Sequence, residues 1–182
     1  MEERGLVLIN TGTGKGKTTA ALGTAIRAWG DGQKVLILQF IKGAWKYGEL
    51  KAIETLGKEN GQIEIRPMGD GFVFHNRKES EEVYRKKKEL AEEAWKRVEN
   101  EVMSDKWDLI VLDEINYAIH FEMLDVEKVA GLIRNRPARL NMILTGRYAR
   151  QELIDLADTV TEMTLVKHAY EKGIKARKGI EF

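Results

Sequence analysis

The sequence predicts an α/β fold in which helices cover both faces of a mostly parallel sheet. Short, continuously apolar segments alternate with longer segments of helical periodicity along the chain. Strands that are apolar on both faces are typical of parallel sheets buried beneath helices. The chain has 182 residues, only two prolines and no low-complexity linker. We therefore expect residues 1–182 to form one domain with a single sizeable core.

The first third of the chain supplies three predicted strands and one helix. The segments GLVLIN (residues 5–10) and KVLILQF (34–40) are continuously apolar at their centres, as buried strands are. Between them, KTTAALGTAIRAWG (17–30) has apolar residues near helical spacing and ends in a glycine-rich stop signal, which predicts a helix. The alternating pattern of QIEIRPM (62–68) predicts a third strand.

The rest of the chain continues the alternation of helices and strands. Residues 78–103 carry apolar side chains on one stripe of a highly charged segment, which predicts a long amphipathic helix. Apolar runs at 108–114, 141–145 and 159–166 predict three more strands, with a short helix at 151–157. Right-handed crossovers place the carboxyl ends of such strands along one edge of the sheet, where ligands bind.

The segment TGTGKGKTT (residues 11–19) follows the first strand and opens the first helix. The phosphate-loop pattern G-x-x-x-x-G-K-[ST] is met at its end by Gly16, Lys17 and Thr18, but Thr11 stands where the first glycine belongs. The glycine comes one residue late, at Gly12. A strand before this segment and a helix after it favour phosphate binding over an ordinary glycine-rich turn.

The glycines, lysines and threonine of this loop are each suited to binding a phosphate group or its metal ion. Alternate glycines, Gly12, Gly14 and Gly16, let the backbone aim N–H groups inward, and the helix adds its N-terminal partial charge. Lys17 is expected to contact a phosphate oxygen, and Lys15 adds a second cation. The hydroxyl of Thr18 is expected to bind Mg²⁺.

Two acidic residues, Asp113 and Glu114, close an apolar strand. In phosphate-loop proteins such a strand lies beside the loop, and its acid holds Mg²⁺ directly or through water. Two other interpretations stay open. The pair could simply cap the next helix, or one acid could act as a base that activates water for ATP hydrolysis.

Further candidates lie in the loops that follow the strands. Trp45, Phe72 and Phe74 stand in glycine-rich loops, where aromatic rings suit a flat ligand, although the phenylalanines could equally anchor a loop. Arg147 directly follows a strand and could neutralise a polyphosphate or form a surface salt bridge. His168 lies in a basic C-terminal tail, where a single histidine is more often structural than catalytic.

Composition limits the classes of function. The net charge of +1 provides no bulk electrostatic attraction for nucleic acid, so no nucleic-acid partner is expected. With no cysteine, the chain has no disulfides, thiolate metal sites or cysteine nucleophiles. The first residues contain only four consecutive apolar positions, too few for a signal peptide, and no later segment is apolar enough to span a membrane. We expect a cytoplasmic protein with no membrane partner.

Taken together, these segments resemble one family, the CobA/BtuR-type ATP:corrinoid adenosyltransferases. The phosphate loop is common to many families, but its combination with the arginine loop and the tail is specific. The matching stretches follow the family's order and cover nearly the whole chain: TGTGKGKTTAALGTAIRA, QFIKGAWKYGE, GFVFHNR, VLDEINYA, LTGRYARQELIDLADTVTEM and VKHAYEKGIKARKGIEF.

The resemblance implies a RecA-like phosphate-loop fold and the transfer of the 5′-deoxyadenosyl group of ATP to Co(I) of a reduced corrinoid, with release of triphosphate. Cobalamin, cobinamide and cobyrinic acid diamide are all possible acceptors. The nucleotide lies reversed in the loop in this family, so its 5′-carbon faces the corrinoid. Cobalt is then the nucleophile, which agrees with a chain that lacks cysteine and any recognisable Ser-His-Asp arrangement.

The resemblance also implies roles for individual residues. Lys17 and Arg147 would stabilise the leaving triphosphate, and Thr18 and Glu114 would bind Mg²⁺ (or Mn²⁺) with Asp113 in support. Phe72 and Phe74 would crowd the lower face of the corrin, excluding an axial ligand so that Co(II) is more easily reduced. The nucleotide site would comprise Gly12, Thr13, Gly14, Lys15, Gly16, Lys17, Thr18, Thr19, Arg27, Trp45 and His168.

Two departures from the family's pattern affect single contacts. Thr13 stands where the family commonly has asparagine, and Phe74 stands where relatives often have tryptophan. Some relatives cover the partner's active site with an N-terminal segment; only nine residues precede Asn10, so we expect that this cover is absent or supplied otherwise. A homodimer and a reduced flavoprotein as electron donor are further expectations from the resemblance.

Two other functions stay open on the residues alone. An ATPase or small-molecule kinase would use Glu114 to activate water or Lys17 to handle a transferred phosphoryl group. A nucleotide-dependent DNA-binding module would need a basic aromatic groove, which the near-neutral charge does not favour.

Overall fold

The computed structural model describes residues 4–40, 47–68 and 80–180. Within these residues six strands form one sheet, and every strand pair in it is parallel. The strands are β1 (Val7–Thr11), β2 (Val35–Gln39), β3 (Ile63–Pro67), β4 (Leu109–Asp113), β5 (Asn141–Thr145) and β6 (Thr159–Glu162), in the spatial order β3-β2-β4-β5-β1-β6.

Helices cover both faces of this sheet. They are α1 (Lys17–Gly30), α2 (Gly48–Asn60), α3 (Glu81–Met103), α4 (Ile115–His120), α5 (Val126–Asn135) and α6 (Gln151–Ile154), followed by a 3₁₀ turn at Ala169–Lys172. Helices α1 and α2 pack on one face, and α3 to α6 contribute to the apolar cluster on the other. The predicted α/β fold, with a parallel sheet covered by helices on both faces, is confirmed.

The two apolar clusters follow the alternation of side chains along each strand. In β2, Val35 and Ile37 face the cluster beneath α1 and α2, whereas Leu36 and Leu38 face the larger cluster beneath α3 to α6. Strands β2 and β4 are buried along their whole length because helices cover both sides of them. This layered core fixes the carboxyl ends of the strands at one edge.

Several element boundaries differ from the sequence predictions. Strand β1 extends to Thr11, and β6 ends at Glu162 because the backbone of Met163 turns to contact the loop after β1. Helix α3 begins at Glu81, where the side chain of Ser80 caps it by accepting from the backbone of Val83. Helix α6 is shorter than predicted and ends at Ile154.

Three helices, α2, α4 and α5, were not predicted. In α2 the only fully buried side chain is that of Ile53, so its sequence shows little apolar periodicity. Helix α4 is only six residues long, too short for a helical pattern to stand out. In the part of the chain that the structure describes, no helix is both long enough and apolar enough to cross a membrane.

Candidate active site

The carboxyl ends of the strands border a cavity of about 830 Å³. A cavity of this volume is typical of small-molecule sites. Its walls include the loop before α1 with the first residues of α1 (Thr13–Thr19), the start of α2 (Tyr47–Glu49), Glu114 and Tyr117 after β4, Arg147 after β5, and the tail residue His168. The structure therefore brings together loops that sequence analysis expected to meet.

The phosphate loop has the backbone shape that its glycines predict. Gly12 and Gly16 adopt φ angles of 94° and 102°, which are unfavourable for residues with a Cβ. Gly16 is the N-cap of α1, so the first backbone N–H groups of the helix, from Lys17 onward, lack acceptors within the helix. Together with the helix dipole, these groups form a binding site suited to an anion.

The segment after β6 holds this loop in place. The backbone N–H of Gly14 donates to the carbonyl of Met163 at 2.6 Å, and the N–H of Met163 donates to the carbonyl of Thr11 at 2.9 Å. A Cβ at Gly12 or Gly14 would lie 2.5 or 2.7 Å from the Met163 carbonyl oxygen. Both glycines are therefore required by this packing, a role for Met163 that the sequence did not reveal.

Thr11, in the place of the usual first glycine, belongs to β1 and is largely buried. Its hydroxyl oxygen accepts a hydrogen bond from the backbone N–H of Ala149 at 3.3 Å. A glycine could not make this contact. Thr11 therefore links the phosphate loop to the loop that carries Arg147.

Lys17 lies within the phosphate loop and is only 8% exposed. Its Nζ donates to the carbonyl oxygens of Gly12 at 2.9 Å and Gly14 at 2.6 Å. Burial lowers the pKa of Lys17, the nearby charge of Glu114 raises it, and that of Arg147 lowers it further, leaving a net decrease. The ammonium group is thus desolvated and positioned on the cavity wall beside two charged side chains.

Asp113 lies behind the cavity wall and is fully buried. Its Oδ1 accepts from the hydroxyls of Thr18 at 2.8 Å and Thr145 at 2.7 Å, and its Oδ2 accepts from Nε2 of Gln39 at 3.1 Å. Strand β5 lies between β1 and β4, so the acid lies beside the loop across an intervening strand. Asp113 orients the hydroxyl of Thr18.

Glu114 lines the cavity, whereas the preceding residue, Asp113, does not. Glu114 has a φ of 63°, a left-handed conformation that is unusual for a residue with a Cβ, and it caps α4. Gly146, at φ 122°, allows the arginine loop to approach, since a Cβ there would lie 3.2 Å from Oε2 of Glu114. Because of the left-handed turn, Asp113 is buried behind the cavity wall while the next residue, Glu114, lines the cavity.

The oxygen atoms of Thr18 and Glu114 on the cavity wall are suitable ligands for a Mg²⁺ ion that is bound together with phosphates. Mg²⁺ in such sites takes one or two protein oxygens and completes its shell with phosphate oxygens and water. Thr18 and Glu114 provide a hydroxyl and a carboxylate on the cavity wall. Within residues 4–40, 47–68 and 80–180, no cluster of three or more His, Cys, Asp or Glu could hold a cation unaided.

Arg147 and His168 also line the cavity. Arg147 is exposed to solvent and close enough to Lys17 to influence its pKa. Nδ1 of His168 accepts from the backbone N–H of Tyr170 at 3.0 Å, which caps the 3₁₀ turn. In its neutral form the ring then carries its proton on Nε2, which makes that atom a donor.

Other predicted site residues are not all gathered at the cavity. Thr13, Lys15 and Thr19 line it. Arg27 lies exposed in the last turn of α1, about 15 Å along the helix from Lys17, and is not among the residues found on the wall. Its assignment to the nucleotide stays a prediction. Three further predictions, Trp45, Phe72 and Phe74, lie outside the described residues.

The cavity also contains residues that the sequence analysis did not assign to the site. Tyr47 and Glu49 come from the start of α2, and Tyr117 comes from α4. Tyr117 stacks with Tyr148 at a centroid distance of 6.2 Å, and the ring of His120 lies 4.0 Å from that of Tyr148. The aromatic types were visible in the sequence, but only the fold brings these rings together.

Comparisons with known proteins agree with the resemblance. The family model for the ATP:corrinoid adenosyltransferases BtuR/CobO/CobP matches residues 3–182. A corrinoid adenosyltransferase of Pseudomonas aeruginosa is 40% identical over 181 residues, which cover 100% of this chain and 85% of that protein. One from Escherichia coli K12 is 37% identical over 181 residues, which cover 100% and 87%. A solved KaiC-like protein from Pyrococcus horikoshii is 20% identical, with a TM-score of 0.49 over 91% of this chain and 75% of that one.

Proposed function

Because the chain belongs to the ATP:corrinoid adenosyltransferase family, we propose that its cavity binds ATP for the transfer of the 5′-deoxyadenosyl group to a reduced corrinoid. The enzyme is a transferase. One observation carries the assignment of the cavity: Lys17, Glu114 and Arg147, which come from three separate segments of the chain, all line it. Their charges match those needed to hold a metal-bound polyphosphate.

The proposed reaction is a displacement at carbon. The two electrons of Co(I) form a bond to the ribose 5′-carbon of ATP, and cobalt becomes Co(III). The bond between the 5′-carbon and the triphosphate oxygen breaks, and its electron pair leaves with triphosphate. Negative charge therefore grows on the leaving oxygen, and preorganised cations near it lower the barrier.

The chain's own cations would stabilise that leaving group. Lys17 would exchange its bonds to Gly12 and Gly14 for bonds to phosphate oxygens, since a phosphate oxygen is the stronger acceptor. Arg147, which also lines the cavity, would neutralise another part of the triphosphate. When bound, Mg²⁺ would supply Lewis-acid stabilisation, with Thr18 and Glu114 as its protein ligands.

Buried residues behind these ligands would hold them in place, and other contacts would complete the site. Asp113 would accept from Thr18 without touching the ion. His168 would donate to the nucleotide through Nε2, and the loop residues 12–19 would hold the phosphates. We also propose, from the resemblance, that Phe72 and Phe74 crowd the corrin, that a reduced flavoprotein supplies electrons, and that the enzyme acts as a cytoplasmic homodimer.

An anaerobic assay tests the proposed function directly. The protein is mixed with MgATP and chemically reduced cobalamin, cobinamide or cobyrinic acid diamide in parallel, which also ranks the acceptors. We expect a light-sensitive cobalt–carbon product and one equivalent of triphosphate for each equivalent of product. ADP and phosphate with no change in the corrinoid would overturn the proposal in favour of an ATPase or kinase.

Two variants connect that assay to the cavity. Lys17→Met should slow adenosyl transfer, since leaving-group stabilisation is needed whichever acceptor is used. Lys58→Met, at an exposed position in the last turn of α2, is the matched control and should leave the rate unchanged. Equal rates for both variants would remove Lys17 from the mechanism.

A further inference from the structure

A single buried hydroxyl, that of Thr145, contacts both acidic residues at the end of β4. Thr145 is the last residue of β5 and is fully buried. Its Oγ1 donates to Oδ1 of Asp113 at 2.7 Å and accepts from the backbone N–H of Glu114 at 2.9 Å. Because β5 separates β4 from β1, this hydroxyl stands between the acids and the strand that leads into the phosphate loop.

The directions of these hydrogen bonds follow from the chemistry of the groups. A carboxylate only accepts, so the hydroxyls of Thr145 and Thr18 both donate to Oδ1 of Asp113. The only hydroxyl proton of Thr145 is donated to Asp113, so its oxygen can act only as the acceptor of the backbone N–H of Glu114. Thr18 has likewise used its proton, which leaves its lone pairs for a cation in the cavity.

The bond to the Glu114 amide also supports an unfavourable backbone conformation. Glu114 has a φ of 63°, which residues with a Cβ rarely adopt. Such conformations are found where contacts with the surrounding structure stabilise them. The hydroxyl of Thr145 gives this N–H a side-chain acceptor in place of water. The turn it supports directs Asp113 into the core and leaves Glu114 on the cavity wall.

We propose that Thr145 is a positioning residue for the metal–nucleotide site, where it aligns Glu114 and, through Asp113, Thr18 as the two protein ligands of Mg²⁺. This inference rests on the proposed function and deepens it. Loss of the hydroxyl should therefore weaken the Mg²⁺-dependent binding of ATP and leave the binding of ATP without Mg²⁺ unchanged. A merely structural threonine would affect stability and leave the Mg²⁺ dependence unchanged.

The test is calorimetric binding of ATP to the full chain as a function of Mg²⁺ concentration, with and without EDTA. Thr145→Val replaces the hydroxyl by a methyl group of similar size and should raise the Mg²⁺ concentration at half-saturation by roughly tenfold, as loss of an outer-sphere partner does in other metal sites. Binding of ATP in EDTA should stay within about twofold of the wild type, because the phosphate loop is untouched. Thr145→Ser should restore the wild-type Mg²⁺ dependence.

Controls separate this inference from a loss of stability. Ile143→Val, in the same strand and fully packed, should lower the melting temperature without altering the Mg²⁺ dependence. If Thr145→Val does not fold, Thr145→Ala removes the same hydroxyl without adding a methyl group at the position of Oγ1.

Two outcomes are decisive. A wild-type Mg²⁺ dependence in a folded Thr145 variant that lacks the hydroxyl would overturn the role of Thr145 alone. A wild-type protein that does not bind ATP in a Mg²⁺-dependent manner would instead overturn the proposed metal–nucleotide site.

Discussion

The backbone N–H of Gly14 donates a 2.6 Å hydrogen bond to the carbonyl of Met163, which joins the phosphate loop to the segment after the last strand. While this bond is present, one amide of the loop is not a donor for phosphate. The same segment continues to His168 on the cavity wall. Changes in the loop and in the tail are therefore expected to affect each other.

Gly14→Ala should weaken binding of MgATP. The added Cβ would lie 2.7 Å from the Met163 carbonyl oxygen and 2.9 Å from its carbon, and backbone atoms cannot move aside cheaply. Overpacking of this kind costs about 1–3 kcal/mol, which corresponds to an increase in Kd of roughly five- to 150-fold if the loop shifts to relieve it. Isothermal titration calorimetry measures the change.

Gly23→Ala is the matched control for that variant. Gly23 lies in α1, and a Cβ there would meet nothing within 4 Å. Alanine favours the helix by about 1 kcal/mol over glycine, so the melting temperature should rise and the Kd should stay the same. An unchanged Kd in Gly14→Ala would show that the loop absorbs the methyl group without losing its shape.

Thr11→Val should lower the stability of the protein by removing the hydroxyl that accepts from the N–H of Ala149. Loss of one such hydrogen bond costs about 0.5–1.5 kcal/mol in the free energy of unfolding, and urea denaturation detects a change of this size. Thr11→Ser keeps the oxygen and should retain most of the stability. A loss of stability in Thr11→Ser with none in Thr11→Val would instead attribute the contribution of Thr11 to its methyl group.

The sequence predicted those parts of the fold whose signals are local. Helix α1 and strand β5 have the predicted bounds, because a capping glycine and a short apolar run mark them directly. Glu114 was predicted as the last residue of a strand, but β4 ends at Asp113, since the left-handed turn at Glu114 depends on Thr145, which is 31 residues away. A left-handed non-glycine residue leaves no pattern in the sequence.

The site residues likewise fall into two groups, those that belong to local sequence motifs and those that only the fold brings to the site. Lys17, Thr18 and Glu114 belong to recognisable motifs, and in the structure all three line the cavity. Gln39 and Thr145 are single polar residues at the ends of apolar strands, and their partner Asp113 is 74 and 32 residues away. Their role becomes visible only when the parallel register brings those strand ends together.

Binding of ATP should weaken as the pH rises through the lowered pKa of Lys17. Burial is the main cause that lowers this pKa below its ordinary value of 10.5. Only the protonated amine binds phosphate as a cation, so affinity is fully present below the folded pKa and is lost above it, starting below pH 10.5. Calorimetric titration against pH measures the fall, which should be absent in Lys17→Met.

Arg147→Gln should shift that pH dependence upward. The positive charge of Arg147 is one of the causes that lower the pKa of Lys17, so its removal raises the pKa, and ATP binding should persist to higher pH. Affinity at neutral pH should fall at the same time, because a cation on the cavity wall is lost. Arg150→Gln, at an exposed residue paired with Glu152 at 3.5 Å, should change neither property.

Asp158→Asn should reduce stability at neutral pH and have a smaller effect in acid. Oδ2 of Asp158 accepts from the N–H of Val7 at 2.8 Å, and this bond, with the ion pair to Arg4, lowers the pKa of Asp158 below its ordinary 3.8. A depressed carboxyl pKa contributes stability that is present above pH 3.8 and lost as the pH falls through the folded pKa. Urea denaturation at pH 6 and at pH 3 should therefore show the two proteins converging in acid, whereas a constant difference would trace the loss to packing.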